Sequence, residues 1–303
     1  MSEPIVLQVS ALAKSFDGVH AVRGVSFDVA AGELVALIGP NGAGKTTCFN
    51  CINGQLAPDA GTVTLAGVDI TGRSPRDIAR AGVGRTFQVA ATFASMTVRE
   101  NVALAIAAHA GDGNALAGRR GDARASEVAA LLERAGIGPL ADRHCGTLPY
   151  GDVKRVELAL ALAGHPQLLL MDEPTAGMAP RDRGTLMTAA ADLARRGRVA
   201  VLFTEHDMDV VFGHADRVIV MDRGRIIASG APDTVRADAR VQAVYLGSPA
   251  AAGGAALSGP GAQSPRRGRR SGRAAPRGRC GAEAPGRRGP TRSPCARARA
   301  TSG

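Results

Sequence analysis

Residues 39–47 read Gly39-Pro40-Asn41-Gly42-Ala43-Gly44-Lys45-Thr46-Thr47 and match the pattern G-x-x-x-x-G-K-[ST]. The apolar run 34–38 precedes them, and residues 47–52 can continue as a helix. A strand that leads through a glycine loop into a helix N-terminus brings backbone N–H groups together around an anion. Lys45 would reach the terminal phosphates and Thr46 can bind Mg²⁺. Because the flanking pattern disfavours a simple glycine turn, we predict that the chain binds a nucleoside triphosphate.

The second informative stretch is Leu168-Leu169-Leu170-Met171-Asp172-Glu173. Four apolar residues predict a buried parallel strand and place Asp172 at its carboxyl end, where α/β proteins bind ligands. There Asp172 can hold Mg²⁺ through water, while Glu173 polarises the attacking water. Adjacent carboxylates can also serve only as a helix cap. The phosphate loop upstream favours the metal-binding interpretation.

Three further polar or aromatic residues are ambiguous when taken singly. His206 follows the apolar run 199–204, so it would lie beside the γ-phosphate, although a lone histidine is more often structural. Phe16 lies in a predicted polar loop, where it would either stack on a purine ring or cap the sheet edge. Gln88 ends an extended segment, and a lone glutamine is usually a solvated surface residue.

The rest of the chain alternates predicted strands and helices. Strands are predicted at 5–10, 19–29, 62–65, 83–88, 217–221 and 225–228, and helices at 74–81, 97–109, 124–135, 153–163, 181–196 (closed by Gly197) and 232–246. The helix-rich stretch at about 97–165 indicates a helical insert. We therefore predict one α/β domain with an antiparallel N-terminal layer. No internal repeat is visible, so we expect one nucleotide-binding unit per chain.

The positive charge is confined to residues 248–303. The whole chain of 303 residues has 37 basic and 27 acidic residues, a formal net charge of +10. Residues 248–303 contain twelve arginines, no lysine and one acid, which leaves 25 basic and 26 acidic residues in residues 1–247. The body is therefore nearly neutral, and the overall charge does not indicate nucleic-acid binding.

We expect residues 1–247 to form the folded domain and residues 248–303 to be a disordered Arg/Gly/Pro/Ala-rich tail. A basic arm could bind nucleic acid or anionic lipid, but this one has no lysine and no aromatic residue. Out-of-frame translation of GC-rich DNA would give this composition. The body has 22 arginines and 3 lysines, which indicates such a genome. We favour an accidental extension over a functional arm.

The five cysteines indicate a reducing compartment. Their number is odd, no pair has a zinc-binding spacing, and no signal peptide precedes them. Cys48 and Cys51 have the spacing of a redox motif, but they fall in the helix after the phosphate loop, so we predict buried packing. No apolar run approaches the ~20 residues that span a bilayer. Any membrane role would be that of a peripheral subunit.

Together these residues resemble the ATP-binding subunits of ABC transporters over residues 5–247. The order of motifs carries the resemblance: Phe16 as the adenine-stacking aromatic, Gly39–Thr46 as the Walker A loop, Gln88 as the Q-loop, Leu148–Asp152 as the signature, Leu168–Asp172 as Walker B, Glu173 as the catalytic carboxylate and His206 as the switch histidine. The family has a P-loop NTPase core with a RecA-like mixed sheet. The segments 85–88, 150–151, 205–208 and 243–247 are similar to the branched-chain amino acid importers within it.

The resemblance implies ATP and Mg²⁺ as cofactors and assigns roles to particular residues. The catalytic residues would be Glu173, His206 and Gln88, and the metal-binding residues Thr46, Gln88 and Asp172. The nucleotide would be bound by Phe16, Gly39, Pro40, Asn41, Gly42, Ala43, Gly44, Lys45, Thr46 and Thr47, and across a dimer by Tyr150, Gly151 and Asp152.

Two segments depart from the family's usual sequence. The usual signature is Leu-Ser-Gly-Gly-Gln, and here Pro149 and Asp152 replace the Ser and the Gln. Contact with the γ-phosphate would then depend on the backbone of residues 150–152 and the following helix N-terminus. The loop after Walker B, usually Ser-Ala-Leu-Asp, reads Ala-Gly-Met-Ala at 176–179 and lacks the Asp that couples the two sites. We still expect hydrolysis, because Lys45, Asp172, Glu173 and His206 are all present.

The function implied is that of an ATPase that powers import of branched-chain or related amino acids. Two such chains, identical or paralogous, would enclose two ATP·Mg²⁺ and act on integral-membrane permease subunits, and indirectly on a periplasmic or extracellular solute-binding protein. We expect a peripheral location on the cytoplasmic face of the bacterial inner membrane and no nucleic-acid partner. The alternative is the ATPase of a lipid or lipopolysaccharide exporter. A P-loop kinase would not need the Gln88, signature and His206 series, and DNA- or ribosome-acting ABC proteins normally carry two ATPase units per chain.

Overall fold

A computed structural model describes residues 3–86, 92–111 and 121–246, and ten strands form two sheets. The strands are β1 (Ile5–Phe16), β2 (Val19–Ala30), β3 (Leu34–Ile38), β4 (Ala60–Leu65), β5 (Val68–Asp69), β6 (Val83–Thr86), β7 (Leu168–Asp172), β8 (Ala200–Thr204), β9 (Arg217–Asp222) and β10 (Arg225–Gly230). The helices are α1 (Lys45–Ile52), α2 (Pro75–Arg80), α3 (Val98–Ala110), α4 (Gly121–Arg134), α5 (Tyr150–Leu162), α6 (Pro180–Gly197), α7 (Met208–His214), α8 (Pro232–Ala237) and α9 (Ala239–Leu246).

The larger sheet has the order β10-β9-β3-β8-β7-β6, with β10 antiparallel to β9 and the other pairs parallel. The smaller sheet, β2-β1-β4-β5, is antiparallel throughout. This confirms the predicted P-loop NTPase core with a mixed sheet and an antiparallel N-terminal layer. The order also places β3, β7 and β8 at the centre, so that their carboxyl ends meet at one edge.

The central strands are continuous apolar runs because both of their faces are covered. All five residues of β3 are buried. Leu34 and Ala36 pack into one hydrophobic cluster, and Val35 and Leu37 pack into the other. Since side chains alternate between the faces of a strand, a run without alternation is what a sheet covered on both sides requires.

Three predicted boundaries were wrong because tertiary pairing or a local cap overrides the pattern. β1 continues to Phe16, since its end pairs with β2, so Phe16 lies in a strand rather than in the predicted polar loop, and only Asp17 and Gly18 form the turn. Helix α6 includes Gly197, which we predicted to lie just beyond its end. The residue that caps it is Arg198, which takes the left-handed conformation with φ 52°. The closing helix is two helices, because Asp238 is extended and its carboxylate accepts a bond from the Arg240 N–H, which starts α9.

The first turn of α5 is a fourth difference. We predicted that this helix begins at Val153, but it begins at Tyr150 with Pro149 as N-cap. Proline fixes its own φ without needing a backbone N–H, so it is compatible with a helix start. The signature residues Tyr150–Asp152 therefore lie within the first helical turn. By contrast, Ser74 caps α2 and Thr97 forms a capping box with Glu100 before α3, both close to the predicted starts.

The body cysteines are packing residues. Cys48, Cys51 and Cys145 are buried. Burial raises the pKa of the Cys48 thiol far above its usual value, and it raises the pKa of Cys51 to about 11. A thiol with a raised pKa is a poor nucleophile at neutral pH, so the Cys48–Cys51 spacing is not a redox motif here. Within residues 3–86, 92–111 and 121–246, no helix combines the length and apolar character needed to cross a membrane. Gln88 and the tail 248–303 lie outside the described residues.

Candidate active site

The loop between β3 and α1 is held tightly against neighbouring backbone. A Cβ added to Gly39 would lie 2.1 Å from the Met221 carbonyl oxygen. One added to Gly44, which has φ 100°, would lie 2.3 Å from the Ala21 carbonyl oxygen. Only glycine fits at both positions, because any side chain would push the loop away from β9 and β2. The loop therefore folds as a cradle that ends on the N-terminus of α1.

Lys45 places its ammonium group at the mouth of this cradle. Its Nζ donates to the carbonyl oxygens of Gly39, at 2.7 Å, and Pro40, at 3.3 Å. Lys45 is 7% exposed, and burial lowers the pKa of its amine, opposed by the charges of Glu173 and Asp172. Both of these acceptors are neutral carbonyls. The Lys45 ammonium group is therefore suited to replace these two hydrogen bonds with stronger ones to the charged oxygens of a polyphosphate.

The carboxylate at the end of β7 is fixed by the neighbouring strand. Asp172 and Thr204 are register partners in the parallel pair β7–β8, and the Thr204 hydroxyl donates to Asp172 Oδ1 at 2.7 Å. Asp172 Oδ2 lies 3.4 Å from Nη2 of Arg85, on β6. Asp172 is only 6% exposed. Sequence reasoning missed both residues: Thr204 ends the apolar strand β8, and Arg85 lies within β6.

Glu173 and His206 meet at the same edge. Glu173 Oε1 lies 2.7 Å from His206 Nε2, and both side chains are partly exposed. Glu173 has φ 48°, and its backbone N–H donates to the Thr204 carbonyl oxygen at 3.1 Å. A left-handed conformation at a residue other than glycine costs about 1–3 kcal/mol and is found most often at functional sites. The strand end is therefore strained where it presents the predicted catalytic carboxylate.

These groups surround one cavity of about 260 Å³. It brings together the phosphate loop, the end of β7 and the end of β8. Its lining residues are Ala21, Asn41, Gly42, Ala43, Gly44, Lys45, Thr46, Thr47, Glu173, Thr204 and His206. Seven of the predicted phosphate-loop residues are thus on its wall, whereas Gly39 and Pro40 contribute carbonyl oxygens to Lys45. Asp172 is not on the wall itself, but it accepts the hydrogen bond of the wall residue Thr204.

The other predicted site residues lie apart from this cavity. Phe16 is at the end of β1, 43% exposed, with Lys14 Nζ 5.6 Å from its ring centroid. Tyr150 and Gly151 are in the first turn of α5, where Asp152 forms an ion pair with Arg155. Among the described residues, none of the signature positions lines the cavity of its own chain.

The donor set fits a nucleoside triphosphate with a hard divalent cation. The glycine loop and Lys45 provide N–H groups and positive charge for phosphate oxygens. The Thr46 hydroxyl and the Asp172 carboxylate are oxygen ligands of the kind that Mg²⁺ prefers. A strand–loop–helix phosphate cradle facing a carboxylate at the end of β7 and a histidine at the end of β8 defines the chain as a P-loop nucleoside triphosphatase.

The comparisons with known proteins specify the family. A family model described as ABC transporter matches residues 22–176, and one described as branched-chain amino acid ATP-binding cassette transporter matches residues 225–251. The chain is 41% identical over 255 residues to the high-affinity branched-chain amino acid transport ATP-binding protein BraF of Pseudomonas aeruginosa, covering 82% of this chain and 99% of that protein. It is 39% identical over 256 residues to LivG of Escherichia coli, with the same two coverages.

A solved structure supports the same assignment. The ADP conformation of an ATP-binding cassette of an ABC transporter is 32% identical, with a TM-score of 0.71, and the match covers 80% of this chain and 99% of that one. The chain therefore belongs to the ABC transporter family, as an ATP-binding subunit. Its family and structural neighbours make it an ATP-hydrolysing enzyme.

Proposed function

We propose that this chain powers the import of branched-chain or related amino acids through separate permease subunits. The observation that carries the ATPase part is the convergence of Lys45, Glu173 and His206 on one cavity. The substrate class is supported by the relatives BraF and LivG and by the match at residues 225–251. The same match favours an importer over the lipid or lipopolysaccharide exporter.

Some of these residues bind the nucleotide, and others take part in the hydrolysis itself. Lys45 and the loop N–H groups bind the terminal phosphates, and Thr46 with Asp172 holds Mg²⁺, which neutralises charge on the phosphate oxygens when bound. Glu173 orients a water molecule and accepts its proton as the water attacks the γ-phosphorus. His206, 2.7 Å from Glu173, fixes the direction of that carboxylate. Phosphoryl transfer to water is supported by the presence of this base and the phosphate cradle on the wall of one cavity.

A second copy of the chain, or a paralogue, completes each site. The signature residues Tyr150–Asp152 are absent from the wall of their own chain's cavity among the described residues, which supports their action on a nucleotide bound by the partner. They begin α5, whose N-terminus carries partial positive charge. Two chains arranged head to tail then enclose two nucleotides, and Phe16 stacks on the adenine ring of its own chain's nucleotide.

The permease would dock at a cleft beside β6. This cleft, of about 260 Å³, is lined by residues of α2, β6 and α5, among them Ile78, Arg85 and Leu160. Arg85 also contacts Asp172, so one side chain joins the cleft to the site. Gln88 follows in sequence and would relay docking to hydrolysis. With this arrangement the chain would be a peripheral subunit at the cytoplasmic face of the inner membrane and would act on the solute-binding protein only indirectly.

Transport and copurification test this proposal together. A strain lacking this gene should lose uptake of radiolabelled leucine, and the full-length chain should restore uptake whereas Glu173→Gln should not. Pull-down of the tagged chain from detergent-solubilised membranes, followed by mass spectrometry, should identify the permease subunits. If the deletion strain took up leucine normally and was instead defective in lipid export, the chain would be assigned to the lipid or lipopolysaccharide exporters.

For the tail, residues 248–303, we predict that removal has no effect. Deleting residues 248–303 should leave ATPase activity and leucine uptake unchanged, because the motifs of the site all lie in residues 16–206. Both activities are measured on the truncated and the full-length chain, together with the fraction recovered in the membrane pellet. Loss of membrane association or of coupling in the truncated chain would instead assign the arginine-rich segment a function.

A further inference from the structure

Glu205, which precedes His206, is buried and fully engaged. It is 4% exposed, and its Oε1 accepts bonds from both the backbone N–H and the hydroxyl of Thr175, at 2.8 and 2.6 Å. Its Oε2 accepts a bond from the His206 N–H at 3.1 Å. A buried carboxylate with three donors is rigidly held. It therefore connects the segment that carries His206 to the loop that follows Glu173.

Asp207, on the other side of His206, makes a second connection to the same loop. Its Oδ1 caps α7, and its Oδ2 forms an ion pair with Arg183. Arg183 Nε in turn donates to the Met178 carbonyl oxygen at 2.9 Å. The loop 175–178 is thus bound at its start by Glu205 and at its end, through Arg183, by Asp207.

The direct contact between the two site residues completes this arrangement. Glu173 and His206 are joined at 2.7 Å, and the two flanking connections lie on either side of His206 in sequence. Each carboxylate next to His206 therefore holds one end of the loop that starts just after Glu173. None of these contacts uses the Asp that the loop 176–179 lacks.

We propose that Glu205 and Arg183 are positioning residues for ATP hydrolysis, which hold Glu173 and His206 in contact by fixing the loop 175–178. This rests on the proposed role of Glu173 and His206. Neither residue touches the nucleotide cavity. They act through the loop: when it shifts, the Glu173 carboxylate moves away from the line of attack, whereas the phosphate cradle on β3 and α1 is unaffected.

Two matched pairs of variants test this in the full-length chain. Thr175→Val removes the hydroxyl donor to Glu205 at nearly constant shape, and Thr175→Ser restores it. Arg183→Met removes the link between Met178 and Asp207. Its control is Arg195→Met, on the same helix α6, which breaks a 2.8 Å ion pair with Asp216 away from the cavity. ATP turnover, the KM for ATP and the thermal unfolding midpoint are measured for each.

We expect Thr175→Val and Arg183→Met to lower kcat by about 10- to 100-fold with unchanged KM, since a misplacement of about 1 Å costs on the order of 10²-fold. Thr175→Ser and Arg195→Met should behave as wild type. A raised KM with unchanged kcat, or wild-type kinetics in Arg183→Met, overturns the proposal. If Thr175→Val does not fold, Arg183→Met decides, because Arg183 is partly exposed. A wild-type chain without ATPase activity would instead contradict the proposed function itself.

Discussion

Glu173→Gln should retain ATP binding and lower steady-state turnover by about two orders of magnitude or more, the effect usual for a positioned base. Glutamine has nearly the same shape, and its amide oxygen can accept the same bond from His206 that Glu173 Oε1 is placed to accept at 2.7 Å. It cannot accept a proton from water at neutral pH. Binding should persist because the phosphate loop with Lys45 and Thr46, which also lines the cavity, is unchanged. Phosphate release gives the turnover, and titration with a fluorescent ATP analogue gives the affinity.

The chain offers a matched control for this variant. Glu127 Oε1 lies 2.8 Å from His165 Nε2, a glutamate–histidine pair of the same kind away from the cavity. Glu127→Gln should therefore leave both turnover and affinity at the wild-type values. Near-normal turnover in Glu173→Gln would remove Glu173 from the catalytic role and leave it as a helix-capping or structural carboxylate.

His206→Ala should impair hydrolysis far more than ATP affinity. The change removes the partner that holds the Glu173 carboxylate at 2.7 Å, so the carboxylate loses its fixed direction. We expect kcat to fall on the order of 10²-fold, the cost of a misplaced catalytic group. The measurements are turnover and the dissociation constants of ATP and ADP.

His165→Ala is the control for this second variant, because it removes the histidine of the Glu127 pair on the surface. It should have no effect on turnover or on the binding of either nucleotide. If His206→Ala weakened ATP and ADP binding equally and left turnover unchanged, His206 would be a structural residue. A selective loss of hydrolysis would support its role beside the γ-phosphate.

Much of the site was predictable because its chemistry is encoded locally. Lys45 and Thr46 follow a glycine loop that follows an apolar run, and this order alone specifies a phosphate cradle. Asp172 and Glu173 stand at the end of a second apolar run, and such runs become central parallel strands whose carboxyl ends meet. His206 was placed correctly on the wall of the cavity by the same reasoning.

Other features had no local signal. Glu205 reads in sequence as one more acid after a strand, and its burial against Thr175 appears only when β7 and β8 lie side by side. Arg183 is one of several arginines on α6, and nothing in the periodicity distinguishes it from Arg195, which pairs elsewhere. The break at Asp238 was missed because the apolar pattern continues across it.

The sequence by itself determined the class of fold and the phosphate loop, and it predicted the reacting groups, because each of these depends on the spacing of residues close together in the chain. The tertiary structure decided which groups touch: Thr204 with Asp172, Glu173 with His206, and Glu205 with Thr175. Those contacts join residues that are 30 to 33 positions apart in the sequence. They are set by strand order and register, which bring the carboxyl ends of β7 and β8 side by side.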